Sequence, residues 1–211
     1  MAVATLTRPK KRRVAKAHPA LTNGRARRRR MITLDEFYAM PEGPPQEYDE
    51  GELICLAEPT THYQRIQRKL LRAVDDFVTK HDLGEVFLPV NVQLDNRHSF
   101  APDLSLLSRE NAERHDEALG RILGAPDLVV EIISPHGGRQ RDRIRKFQVY
   151  YETGVHWYWI VDPDERIIEE YHWGAEGYIA TCRVAEGTFT PTAFPGLKLE
   201  LDELFGPAAE E

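Results

Sequence analysis

Only two cysteines, Cys55 and Cys182, occur in the 211 residues. Two cysteines cannot staple a small scaffold, and without an export signal they are expected to stay as free thiols in a reducing cytoplasm. No apolar run approaches the roughly 18 residues that a membrane-crossing helix needs. The N-terminus also lacks the apolar stretch of a secretory signal. There is no HExxH and no paired-cysteine motif, so a zinc site has no support. No zinc finger or clear helix-turn-helix accompanies the rest. No unit recurs with a period of roughly 20–50 residues, which argues against solenoids and propellers. Acids are missing from residues 1–30, which hold 11 Lys or Arg.

That last absence divides the chain by charge. The remainder keeps 17 of the 28 basic residues against all 34 acids, so a strongly acidic body follows a basic tail. "KKRR" (10–13) and "RARRRR" (25–30) are like-charge blocks that repel and favour disorder. A solvated tail without a specific partner, a start placed upstream of Met31, and a grip on a phosphate backbone all fit this composition. Residues 31–211 are then expected to form one domain, with hydrophobic content of 41% and charged content of 29% typical of a globular protein.

Periodicity gives a coarse element order. "TLDEF" (33–37) is a capping box opening a short helix that stops at Pro41. "QEYDEGELICLAEP" pivots near Gly51 as two extended pieces. Ile66, Leu70, Val74, Phe77 and Val78 make one stripe, predicting a helix from about Thr61 to His81 with Gly84 as a stop. "EVFLPVNVQL" (85–94) is a strand with Pro89 at an edge or bulge. "DLSLLS" and "DLVVEIIS" are further strands, separated by a charged helix or loop over 109–124. Ile144, Phe147, Tyr150 and Tyr151 return to helical spacing and end at Gly154. "VHWYWIVD", "RIIEEYHW" and "GYIATCRV" form an antiparallel meander, and "LDELF" (201–205) is a terminal helical turn. Mixed strands and helices imply a sheet-centred α/β or α+β fold.

One residue interrupts an apolar strand. If 127–133 is extended, Leu128, Val130 and Ile132 face one way, and Asp127, Val129, Glu131 and Ile133 the other. A carboxylate at Glu131 loses hydration unless it is paired or binds a cation. Asp103 opens another strand just after Pro102. Lys146 lies one helix downstream, His62 sits in the first turn of the long helix, and Glu47 and Glu52 flank the first hairpin. Two neighbouring carboxylates repel, so one tends to stay protonated unless a divalent cation intervenes. Oxygen-only ligands suit Mg²⁺ or Mn²⁺. Such a cation on Asp103 and Glu131, with a lysine nearby to offset growing negative charge, is a kit for phosphodiester hydrolysis.

Pro102-Asp103 followed by Glu131 on a later strand resembles the PD-(D/E)XK nuclease superfamily. The likeness extends to its Uma-type family of putative restriction endonucleases. It is carried by "TLDEFYAMPEG", "GEL", His62, "GEVFLPVNVQL", "PDLSLLS", "GAPDLVVEIISP", "RDRIRKFQVYYETGVHWYWIVDP" and "FPGLKLELDELF", which span about 32–205. The resemblance implies a restriction-endonuclease-like α/β core, with a central mixed β-sheet flanked by helices. The activity it implies is that of a Mg²⁺-dependent endonuclease acting on DNA, and by likeness a homodimer. The superfamily places a lysine two residues after the acid, where this chain has Ile133. Lys146 is the candidate to supply the ammonium from a neighbouring helix, with Asp142 sharing its face at i−4.

Asp103 and Glu131 are therefore the expected metal ligands, with Lys146 assisting. His62, Glu47, Glu52 and Asp142 are the expected supporting residues. Asp127 is expected to make a turn, and the Trp157-Tyr158-Trp159 run to serve as core or subunit contact rather than as a base-stacking platform. The competing reading is a catalytically inactive nucleic-acid-binding or dimerising module of the same fold.

Overall fold

A computed structural model describes residues 31–41, 43–133 and 141–206, with the backbone alone at 141 and 142. The expected basic tail lies outside the described residues. Twelve strands form two mixed six-stranded sheets. The first contains β1 (Gln46–Asp49), β2 (Glu52–Cys55), β4 (Asn91–Gln93), β5 (His98–Phe100), β7 (His115–Asp116) and β8 (Arg121–Leu123), in the order β2-β1-β5-β4-β8-β7. The second contains β3 (Gly84–Phe87), β6 (Leu104–Ser108), β9 (Leu128–Ile132), β10 (Trp157–Asp162), β11 (Ile167–Gly174) and β12 (Gly177–Val184), in the order β12-β11-β10-β9-β6-β3. β9 and β10 run parallel, as do β4 and β8, and the other pairs are antiparallel. A two-stranded ribbon, β13 (Thr188–Phe189) with β14 (Leu199–Glu200), precedes α4 (Leu201–Phe205).

The second sheet is apolar on both faces, and each face belongs to a different core. Leu128, Val130 and Ile132 of β9 pack with Ile66, Leu70, Val74 and Val78 of α2 (Thr61–His81) and with Leu201, Leu204 and Phe205 of α4. Val129 and Ile133 pack on the opposite side with Val92, Phe100 and Ile122 of the first sheet and Val149 and Tyr150 of α3 (Phe147–Thr153). The period-2 alternation expected of 127–133 is therefore what divides the two cores. Tyr158 and Trp159 are fully buried, so those two aromatics are core. Asp127 ties strand ends together, accepting from the Ser108 N–H at 2.7 Å and from Asn111 Nδ2 at 2.7 Å.

Turn chemistry sets several boundaries. The Thr33/Glu36 capping box opens α1 (Leu34–Tyr38), with both reciprocal bonds formed. Glu50 and Gly51 both take positive φ between β1 and β2, the geometry of a two-residue hairpin turn. α2 ends one residue before left-handed Asp82, ahead of the glycine expected to stop it. Gly84 is needed for a different reason. A Cβ there would stand 2.0 Å from the Leu107 carbonyl oxygen, so only glycine lets β3 lie against β6.

Three expectations change. The stretch 109–124 is not helix or loop throughout, since it supplies β7 and β8 to the first sheet. "EVFLPVNVQL" is not one strand but two, β3 and β4, placed in different sheets. Pro89 cannot donate to a ladder, and the chain crosses between layers there. Ile144 does not join the apolar stripe of the third helix and is 60% exposed. Residues Arg141–Lys146 form a π-turn ahead of α3, and its wider turn rotates Ile144 off the face that Tyr150 occupies. Among the described residues, no helix is long and apolar enough to cross a membrane.

A buried carboxylate joins the second sheet to the ribbon. Glu170, fully buried on β11, accepts from Trp159 Nε1 (2.9 Å), Thr181 Oγ1 (2.8 Å), and the N–H groups of Thr192 (2.7 Å) and Ala193 (3.1 Å). Glu170→Ala strands these donors together. It should lower the stability measured by urea unfolding by at least about 2 kcal/mol, since one unsatisfied buried donor costs about 1–3 kcal/mol. Arg97→Ala, which removes an exposed pair with Glu50, should cost less than about 1 kcal/mol.

Candidate active site

Glu131 enters the second core from the middle of β9, where it pairs in register with Ile160 and is 3% exposed. Its Oε1 accepts from Lys146 Nζ at 2.8 Å and from the Tyr150 hydroxyl at 2.6 Å. Lys146 closes the π-turn, and Tyr150 stands four residues on, on the same helix face. The ammonium also lies 3.0 Å from Oε1 of Glu47, a fully buried residue of β1. The Ala101 N–H donates to that same Glu47 oxygen at 3.0 Å. One buried cation thus sits between carboxylates from two different sheets, with the Phe100 ring 5.8 Å away.

Asp103 reaches the same strand from the other side. The last ladder pair between β6 and β9 is Leu104 with Val130, so antiparallel register sets Asp103 beside Glu131. Its Oδ2 accepts from the Ile132 N–H at 2.6 Å, and its Oδ1 from the Tyr63 hydroxyl of α2. Gln67, one turn along α2, donates to the Asp103 carbonyl at 3.2 Å. At 8% exposure, Asp103 is the most accessible of the four charged groups.

The π-turn delivers further cations. Arg143 pairs with Asp162 of β10 at 3.3 Å and with Glu169 of β11. Arg145 grips Asp49 of β1 at 2.7 Å and lies 3.3 Å from Glu50. Hydrogen bonds donated to Asp49 hold the Arg145 guanidinium more firmly protonated than usual, despite its partial burial. A short basic turn is therefore wedged between two acidic sheets.

The structure brings Glu47, Glu131 and Lys146 into direct contact and sets Asp103 against the next residue of β9. Ile133, at the place of the superfamily lysine, is buried in the second core at 1% exposure. The ammonium comes to Glu131 from Lys146 instead. His62 is exposed in the first turn of α2, and its neighbour Tyr63 is the residue that reaches Asp103. Glu52 lies on β2, in register with Asp49 and half-buried. The Asp142 side chain, and hence its expected pairing with Lys146, lies outside the described residues. Tyr150, Tyr63 and Arg145 were not anticipated. Only Tyr150 carried a signal, its i+4 spacing from Lys146.

The donor set suits a hard divalent cation, since Asp103, Glu131 and Glu47 offer carboxylate oxygens. Among the described residues, no group of three or more His, Cys, Asp or Glu side chains is already arranged to hold a metal. Between Glu47 and Glu131 the balancing charge is Lys146 itself. The Asp103 carboxylate is held apart from that pair, by the Ile132 N–H and the Tyr63 hydroxyl.

Burial pushes the Tyr150 phenol well above its ordinary range, and the Glu131 and Glu47 charges add to the effect. Tyr38, Tyr171 and Tyr178 are raised by burial as well. A phenol with a raised folded pKa contributes no pH dependence below its unfolded value of about 10 and destabilises the fold as pH rises past it. Unfolding free energy should be flat in this respect up to pH about 10 and then fall. Tyr150→Phe should soften that alkaline fall while costing about 1–2 kcal/mol at neutral pH, where Glu131 loses a donor. Chemical denaturation across the pH range reads both effects.

A model of the Uma2 family, described as "Putative restriction endonuclease", matches residues 34–202. Among solved structures, the chain is similar to a putative nuclease of family DUF820 from Anabaena variabilis. That similarity has a TM-score of 0.69 and 26% identity, and covers 82% of this chain and 97% of the other. No curated protein sequence matches. With a family model spanning the fold from α1 to α4 and every residue of the buried charge cluster, the chain belongs to the Uma2 family of putative restriction endonucleases.

Proposed function

We propose that the protein is a Mg²⁺- or Mn²⁺-dependent endonuclease that hydrolyses phosphodiester bonds of DNA. The observation that carries this is the buried Glu131–Lys146–Glu47 cluster, with Asp103 bonded to the N–H of the residue after Glu131, in a chain of a family of putative restriction endonucleases. Burying a lysine and two glutamates is costly and seldom gains net stability over an apolar core. Buried, interacting ionisable groups of this kind concentrate at functional sites.

Asp103 and Glu131 would hold the metal, which supplies Lewis acidity toward the scissile phosphate. The chain's own groups do the rest. Water adds to phosphorus in line as the bond to the leaving sugar oxygen breaks, and a proton ends on that oxygen. Lys146 offsets the negative charge that grows on the phosphoryl oxygens, in a setting where low dielectric strengthens its field. Tyr150 and Glu47 keep the ammonium and Glu131 in place, and Tyr63 and the Ile132 N–H fix the Asp103 carboxylate. The same reading takes the protein as a cytoplasmic homodimer. Support for the dimer is the exposed Ile179 (59%) and Trp173 (37%) on the terminal hairpin of the second sheet.

In Mg²⁺ the wild type should cut duplex DNA, chelation should stop it, and Mn²⁺ should restore it. Glu131→Ala and Lys146→Ala should each lower the rate at least about 100-fold. Asp103→Asn should weaken Mg²⁺ binding in isothermal titration. Undiminished cleavage of a DNA and RNA panel by both alanine variants would remove this cluster as the active site, and a wild type that binds but cuts none of the panel would leave a nucleic-acid-binding module as the better reading. Light scattering should report a dimer across a range of protein concentrations, and a strict monomer would remove the dimer from the proposal.

A further inference from the structure

A second charged network lies one residue from the site. Arg145 immediately precedes Lys146 in the π-turn. Its Nε stands 3.2 and 3.1 Å from the two Asp49 carboxylate oxygens, and its Nη2 lies 2.7 Å from Oδ1. Nη2 also lies 3.1 Å from Nε2 of His98, a residue only 1% exposed. A guanidinium can only donate, so in this contact Nε2 is the acceptor, with Asp49 Oδ1 and Glu50 Oε1 also 3.6 and 3.8 Å from it. On the other edge of the ring, Nδ1 faces Asp95 Oδ1 and Oδ2 at 2.9 and 3.0 Å. Asp95 is itself pinned by the N–H groups of Arg97 (2.7 Å) and His98 (2.8 Å). Partial burial works against its charge, yet these donors hold its carboxyl below the usual range.

The geometry couples this network to the site. Glu47 and Asp49 are two residues apart on β1 and share one face. Two successive cations of one turn thus grip two alternate carboxylates of one strand. The two grips differ in kind. Lys146 is a flexible stem with a point charge, whereas the planar guanidinium of Arg145 fixes direction as well as distance. Arg143 anchors this turn to the second sheet through Asp162 and Glu169, and Arg145, bound on one edge by Asp49 and at Nη2 by His98, anchors it to the first. Without the Arg145 anchor, the lysine ammonium would lose its fixed place beside Glu47.

We propose that Arg145, oriented by the Asp95–His98 pair, is the positioning residue that sets Lys146 between Glu47 and Glu131. The catalytic consequence rests on the reading of that cluster as the active site. The positional consequence does not. Its test is the environment of Lys146 at fixed pH, read from the ε-carbon resonance in protein carrying ¹³C-labelled lysine. The chain has seven lysines, few enough for Lys146→Arg to identify the signal by its disappearance.

Arg145→Lys keeps the charge and removes the fork. It should shift the Lys146 resonance toward the position of exposed lysines and lower kcat about 10–100-fold, the usual effect of removing an orienting partner, with KM changed less than about twofold. His98→Leu should do the same. His98→Gln retains an acceptor toward Arg145 and should keep both the resonance and kcat within about threefold of wild type. An unmoved Lys146 resonance in folded Arg145→Lys protein would overturn the proposal, as would a loss carried entirely by KM. If Arg145→Lys fails to fold, the His98→Leu and His98→Gln pair makes the same comparison. A wild type that cuts no nucleic acid would defeat the active-site reading, while the Lys146 resonance would still decide whether Arg145 positions it.

Discussion

The arrangement on which the rest depends is a single ammonium group, that of Lys146, held between two fully desolvated carboxylates. Without it, Glu47 and Glu131 would be like charges buried close together, a configuration that the fold could not sustain with both ionised. With it, the first and second sheets are joined by charge at the point where their apolar packing gives way. Removing one partner from such a buried set typically costs about 3–5 kcal/mol, far more than breaking a surface pair. The cluster is therefore both a structural joint and the place where the chemistry is proposed to occur.

The surrounding layers allow for this. One face of the second sheet carries an uninterrupted apolar contact with α2 and α4. The other face gives up part of its apolar area to charge, and is compensated by Phe100, Tyr150 and Tyr158, packed with ring centroids 5.2–5.8 Å apart along the Phe100–Tyr150–Tyr158 chain. Around the edge, Arg143 and Arg145, both more exposed than Lys146, pair with further acids of the two sheets. Three successive cations of the described turn are thus paired with acids of the two sheets.

Much of this was legible in the sequence, for local reasons. The α2 stripe, the capping box at Thr33 and the alternation through β9 follow from periodicity and short-range hydrogen bonding, and the structure keeps their boundaries to within a residue or two. Glu131 stood out because a carboxylate in a buried strand demands a partner, and Lys146 followed from the vacancy at Ile133. The rest depended on non-local pairing. Nothing near Tyr63 says that its hydroxyl will meet Asp103, forty residues away along the chain. The division of "EVFLPVNVQL" between two sheets needed the partners of each half. The π-turn, which spoils the helical period at Ile144, has no recognisable signature in "RDRIRK". Membership of the Uma2 family supplied what periodicity could not, a nuclease context for the cluster.

The cluster draws on β1, β9 and the π-turn, and its outer clamp joins Arg145 to Asp49 across 96 residues of chain. No early fragment contains a complete set. During synthesis from the N-terminus, Glu47 and Asp103 leave the ribosome long before Lys146 does, and until then they are ordinary solvated acids. The paired state of these charges, on this geometry, arrives with the closing of the tertiary structure rather than accumulating with length.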